Sequence, residues 1–376
     1  MSWQVSIRAP IGQRRSVSGR RLDYRSSATS ASSFKPAART ESLAPTGTAP
    51  RAAVAKRRET DERLSLKGNN EADCITVPRL NPTSWTEPIA EWRPAVDSDA
   101  CQRWLTARGQ PVAAWPPAAP ETAPTVCFAL DGCYWIWQPD AGGIRFRADE
   151  PRFTGFPSTA VDPRWFRWLV TRSWLPSVYP FWGRQVLHAT AAAHEPSGTV
   201  VAFTGPSGAG KSTMAFALGR QPGWSLICDD TLAFSPLEDA GALTIALHPL
   251  PTEARLRPAS AAHFGVAPNR AVPLKWPRRP VRLSTIYSLQ ADPDLDRPVS
   301  ISKVGAGESY ARLLEQAHAL TLDLPDHTQR LMRDYLALAT TVPVFRLAYR
   351  KSFEAIAQIV TALELHTAAR LDAISA

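Results

Sequence analysis

Between Thr199 and Leu218 the chain reads TVVAFTGPSGAGKSTMAFAL, and no other stretch narrows the possible folds as far. A short apolar, β-branched run leads into the pattern G-x-x-x-x-G-K-S at Gly205–Ser212, and residues of helical character follow. Glycines let a backbone bend until successive N–H groups face inward, and the N-terminus of the next helix adds partial positive charge at the same point. Such a loop needs a strand to deliver it and a helix to leave it, so it implies an α/β domain with nucleotide phosphates in the cradle. Gly205, Pro206, Ser207, Gly208, Ala209, Gly210, Lys211, Ser212 and Thr213 are the expected contacts to a triphosphate. Lys211 would reach the β and γ phosphates, and the Ser212 hydroxyl would take one position on Mg²⁺.

One helix and one apolar run later (SLIC) come two adjacent acids, Asp229 and Asp230. In an open sheet the end of that strand lies beside the loop. Neighbouring side chains on extended backbone diverge. One carboxylate can therefore serve the metal while the second accepts a proton from an attacking hydroxyl. Spacing leaves open which acid does which. The assignment carried forward puts Ser212 and Asp230 on Mg²⁺ and counts Asp229, Asp230 and Lys211 as catalytic. The plainer alternative is one metal-binding aspartate and one that caps a turn.

The position of the charge decides whether such a cradle belongs to a nucleic-acid protein. The chain carries a net +9, from 43 Lys and Arg against 34 Asp and Glu. Residues 1–60 hold 12 basic and 3 acidic side chains, and the rest of the chain is balanced at 31 of each. A neutral body argues against a basic groove and against nucleic acid as a partner. The five cysteines form no Cys-x-x-Cys pair or zinc spacing, as expected of a reducing compartment. No run of about 18 apolar residues could span a membrane. The N-terminus lacks the apolar core of a secretory signal. A cytoplasmic setting is expected.

Residues 1–75 are rich in Ala, Ser, Arg, Pro and Thr and are expected to form a disordered basic tail. Residues 76–180 read as a small α+β module of unknown role. It has strands at Val126–Leu130, Cys133–Trp137 and Ile144–Arg147, with an Asp131-Gly132 turn between the first two. GQPVAAWPPAAPETAP reads as a linker, and Pro163–Trp174 as a helix whose tryptophans pack. Residues 181–370 form the loop-bearing domain. LTIALHPL, VRLSTIYSLQ and VPVFRLAY are its later strands, and helices are expected near Glu308–Leu320, His327–Ala339 and Phe353–Leu365.

The stretch PFWGRQVLHATAAAHEPSGTVVAFTGPSGAGKSTMAFALGRQPGWSLICDD, with VPVFRLAYRKSFEAIAQIV near the end, resembles the catalytic domain of HPr kinase/phosphorylase. It is closer still to the shorter HPr-kinase-like serine kinases found beside clusters for ribosomally made peptides. The resemblance spans roughly residues 180–365. It implies a loop-bearing α/β domain of that type, ATP and Mg²⁺, and a Ser/Thr hydroxyl of a protein or peptide as acceptor. It also allows a homo-oligomer. It places His188 near the nucleotide phosphates and in the catalytic set; read from its residues alone, His188 is a strand histidine with both nitrogens satisfied. The family's E-x-R-G stretch meets Glu253 and Arg255 here, but Leu256 stands in place of the glycine, so neither phosphorylase activity nor HPr as substrate is carried over. Arg255 or Arg257 could neutralise charge on the transferred group. A small-metabolite kinase on the same loop and a non-catalytic nucleotide-dependent scaffold or switch are the competing expectations.

Overall fold

The computed structural model describes residues 89–115, 123–250, 253–267, 271–277, 281–318 and 325–375, all within one compact unit. The expected tail at 1–75 lies outside the described residues. In chain order the first half carries β1 (Ile89–Trp92), α1 (Ser98–Arg108), β2 (Gln110–Trp115), β3 (Thr125–Leu130), β4 (Cys133–Gln138), β5 (Gly142–Phe146) and β6 (Arg152–Pro157). Its strands make one sheet in the order β1-β6-β5-β4-β3-β2. Asp131 and Gly132 take φ of 50° and 70°, the left-handed pair that a two-residue hairpin turn demands. At Gly142, φ 105°, an added Cβ would stand 2.1 Å from the Phe156 carbonyl oxygen, so a side chain there would push β5 off β6.

The expected linker after Gly109 is partly a strand. Gln110–Trp115 pairs antiparallel with β3 as the sheet's edge, and the register shifts between Pro111 and Ala113. An edge strand tolerates a missing N–H, which is why proline content alone misjudges the segment.

Asp162 caps α2 (Pro163–Leu169), its carboxylate accepting from the Arg164 and Trp165 N–H groups at 2.7 and 3.1 Å. The single helix expected to reach Trp174 instead widens into a π turn at Val170–Trp174. It continues as α3 (Leu175–Val178) and a 3₁₀ turn, Tyr179–Trp182. Trp174 packs edge-on to Phe166, whereas Trp165 and Trp168 are 44% and 40% exposed, so only part of the expected tryptophan packing occurs. Tyr179, Phe181 and Trp182 bury against Tyr134 and Phe146, and the same cluster takes in Val186, Ala233 and Leu250. Residues on both sides of position 180 thus share a core. Burial of such large side chains stabilises by about 1.5–3 kcal/mol each.

The second half runs β7 (Gln185–Leu187), β8 (Thr190–His194), β9 (Thr199–Thr204), α4 (Lys211–Leu218), β10 (Trp224–Cys228), β11 (Leu232–Asp239), β12 (Ala242–His248), α5 (Pro258–His263), β13 (Val281–Arg282), β14 (Thr285–Ala291), β15 (Val299–Lys303), α6 (Ala306–Leu314), α7 (Pro325–Thr341), β16 (Val344–Tyr349) and α8 (Ile356–Ser375). A central sheet is ordered β10-β8-β9-β14-β16-β15, and a smaller one β13-β12-β11-β7. Strands β9, β14 and β16 are parallel, and their continuous apolar runs suit burial on both faces. One face packs Phe203 and Tyr287 on Met214 of α4 and Ile359 and Leu363 of α8. The other packs Val200 and Ile286 on Phe234 and Leu247 of the smaller sheet and on Tyr335 and Leu338 of α7. The described residues therefore form a mixed α/β fold with three sheets.

VRLSTIYSLQ, read as one strand, is divided between the two sheets as β13 and β14. The helix expected to run from Glu308 towards Leu320 ends at Leu314. Beyond it the His188 N–H donates to the Gln316 carbonyl, and the His318 N–H donates to the Val186 carbonyl, both at 2.8 Å. Backbone bonds to β7 replace a further helical turn. Among the described residues no helix is long and apolar enough to cross a membrane.

Candidate functional site

Strand β9 is buried along its whole length and delivers the chain to Gly205 at φ 134°. A Cβ on Gly205 would stand 3.0 Å from the Leu289 carbonyl oxygen, so the loop lies tight against β14. Gly208 and Gly210 follow at φ 83° and 88°, and α4 starts at Lys211. Its first N–H groups have no partner within the helix and carry the positive end of the helix dipole. Three contacts hold the loop from outside. The Tyr349 hydroxyl of β16 donates to the Ala209 carbonyl. Arg257 donates to the Ser207 hydroxyl at 3.2 Å, and the Thr213 and Ser260 hydroxyls meet at 2.8 Å. The Lys211 ammonium is turned onto the loop's own carbonyls, Gly205 at 2.9 Å and Pro206 at 3.3 Å. Burial lowers its pKa, against the opposing pull of Asp230 and Asp229.

The two acids at the end of β10 differ. Asp229 is 2% exposed, and its carboxylate accepts from the Ser212 hydroxyl at 2.7 Å, the Thr190 hydroxyl at 3.1 Å and the Arg255 N–H at 3.1 Å. Asp230 adopts φ 67°, a left-handed conformation that aspartate tolerates better than most side chains. That turn swings its carboxylate away from Asp229, with 46% of the side chain exposed. Arg172 donates to it at 3.2 Å, and His188 Nδ1 lies 3.4 Å from its other oxygen. The Ser212 hydroxyl, expected to share Mg²⁺ with Asp230, is hydrogen-bonded to the Asp229 carboxylate, and Asp230 faces Arg172 and His188.

His188 sits between β7 and β8, with Nδ1 2.9 Å from the Asp230 carbonyl oxygen. A carbonyl only accepts, so Nδ1 carries the proton and a neutral ring keeps its lone pair on Nε2. Burial lowers the pKa of His188 more than Asp230 raises it. His318 lies beside it, hydrogen-bonded to the backbone of Ser173, and burial brings its pKa down to about 4; His327 is also held at about 4 by burial. An unfolded histidine titrates near 6.5, so between roughly pH 6.5 and 4 the unfolded chain binds protons that the native state refuses. Stability is therefore expected to fall as pH drops through that window. Urea unfolding at pH 7 and pH 4.5 measures it, and His318→Gln should flatten the decline.

Lys211, Ser212, Asp229, Asp230 and His188 thus converge, with the loop residues Gly205–Gly210 beside them. Of the two arginines weighed, Arg257 reaches the loop, whereas Arg255 contributes its backbone N–H and points its side chain towards Glu253. Arg172, Thr190, His318 and Tyr349 were not anticipated. Thr190 alone left a signal, as a polar residue inside the apolar LHATAAA run. A cavity of about 410 Å³ opens between the loop, the Ser288–Ala291 end of β14 and the α6 end at Arg312 and Gln316.

No protein-family model matches the chain, and no curated protein matches it. Among solved structures the chain is similar to the Hpr(Ser) kinase/phosphatase from Coxiella burnetii. The two are 15% identical, 51% of this chain and 95% of that chain are covered, and the TM-score is 0.28. At those values the relationship is weak, and no residue role is taken from it.

Proposed function

We propose that the protein is a phosphotransferase that uses ATP and Mg²⁺ and phosphorylates a Ser or Thr hydroxyl of a protein or peptide. The observation that carries this reading is the division between the acids: Asp229 enclosed on the Ser212 hydroxyl, Asp230 half-exposed beside Arg172 and His188. Ser212 and Asp229 offer only oxygen donors, one of them anionic, which fits Mg²⁺. When bound, that ion neutralises charge between the β and γ phosphates. The loop N–H groups and the start of α4 hold the phosphates, and Lys211 exchanges its bonds to the loop carbonyls for phosphate oxygens. Asp230 takes the proton of the acceptor hydroxyl as its oxygen bonds to the γ-phosphorus. The bond to the β–γ bridging oxygen breaks and ADP departs. His188, its tautomer set by the Asp230 carbonyl, stands next to that proton's path.

The test is incubation of the full chain with γ-labelled ATP, Mg²⁺ and peptides encoded by neighbouring genes, followed by phosphopeptide mass spectrometry. Label on a peptide Ser or Thr is expected with the wild-type chain and none above background with Lys211→Ala. Label confined to small molecules, or transfer indifferent to Lys211→Ala, overturns the proposal.

A further inference from the structure

The helical segment at 163–174 reaches the acids from the other half of the protein. If the α-helix of Pro163–Leu169 ran on unbroken, each turn would advance by 3.6 residues. The π turn at Val170–Trp174 changes that phase, as single π turns often do at functional sites. Val170 and Trp174 stay in the core while Arg172 extends to the acid pair. Its guanidinium is held at two points. One terminal nitrogen donates to the Glu253 carbonyl at 3.0 Å, and the other donates to the Asp230 carboxylate at 3.2 Å. Only 19% of the Arg172 side chain is exposed. Among the described residues the ion-pair partners of Asp230 are Arg172 and, when protonated, His188. Asp230 is attached through a left-handed backbone and is otherwise open to solvent, so its carboxylate has few restraints.

We infer that Arg172 is a positioning residue for phosphoryl transfer. By fixing the direction of the Asp230 carboxylate, it makes chemistry at the phosphate loop depend on the β-rich half. This rests on Asp230 acting as the base. A fork anchored on a backbone carbonyl leaves the second nitrogen little freedom, and planar guanidinium geometry suits a carboxylate better than an ammonium does. Misdirecting a reacting group by about an ångström can cost about 10²-fold in rate.

The experiment compares the full-length wild type with Arg172→Ala, Arg172→Lys and Arg172→Gln. It follows labelled phosphate released from ATP with water as acceptor, alongside thermal melting. Arg172→Ala should lower kcat about 10²-fold with KM for ATP unchanged. Arg172→Lys, or free guanidinium ion added to the alanine variant, should restore part of the rate. Arg172→Gln retains a donor for the Glu253 carbonyl without the charge and covers the case in which the alanine variant does not fold. An unchanged kcat per folded molecule makes the contact a structural staple and overturns the inference. A raised KM at constant kcat places Arg172 on the nucleotide instead and does the same. A wild type that transfers label to neither water nor peptide, or transfers it no faster than Asp230→Asn, defeats the functional reading itself and the inference with it. Where the wild type labels peptide alone, the same variants are compared by peptide labelling.

Discussion

Asp230→Asn is expected to slow phosphoryl transfer by about 10²–10⁴-fold while nucleotide affinity stays where it was. Asparagine is nearly isosteric, tolerates φ 67° as aspartate does, and can still accept a bond from Arg172. What it loses is the ability to take a proton from an acceptor hydroxyl. Because Asp230 is half-exposed and does not touch the Ser212 hydroxyl, binding of the triphosphate should survive. The check is a single-turnover rate beside a titration with a fluorescent ATP analogue. Equal rates for the two proteins would remove Asp230 from the chemistry, and a parallel loss of affinity would move it to the metal.

Asp229→Ala should be the change at this site that most reduces stability. It leaves the Ser212 hydroxyl, the Thr190 hydroxyl and the Arg255 N–H without their acceptor. An orphaned buried donor costs about 1–3 kcal/mol, and the three costs will not simply add because the vacated space lets the hydroxyls turn. Thr190 lies on β8 and Arg255 just before α5, so the damage reaches two elements that frame the loop. Urea unfolding of Asp229→Ala beside Asp230→Asn measures it. A clear fall in midpoint is expected for the first and little change for the second. Equal midpoints would mean that the enclosed carboxylate is not the node these distances describe. The same variant should also need far more Mg²⁺ for any residual transfer.

Much of the site was readable in the sequence because it is contiguous. The glycines at 205, 208 and 210 and the adjacent acids each state a local requirement, and the structure places all of them around one loop. The Asp131-Gly132 hairpin was legible for the same reason. The matching turn at Ala240-Gly241, with φ of 50° and 81°, was not, because alanine carries no turn signal and tertiary pairing of β11 with β12 imposes it. The strand at Gln110–Trp115 was misread as linker because its pairing with β3 decides what its composition cannot. The division of VRLSTIYSLQ between two sheets, and the early end of α6, likewise depend on partners distant in sequence.

The sequence by itself determined a glycine-rich loop between strand and helix, followed by a second strand that ends in two adjacent carboxylates. These follow from backbone conformations that only certain residues tolerate and from side chains that neighbour one another along the chain. Tertiary structure alone decided which acid is enclosed and which is open, and it brought Arg172 from the helical segment after β6 to the open one. No local pattern could settle those two points. The roles depend on a left-handed turn at Asp230 and on a π turn 58 residues earlier, and the contact between them exists only after the shared core has packed.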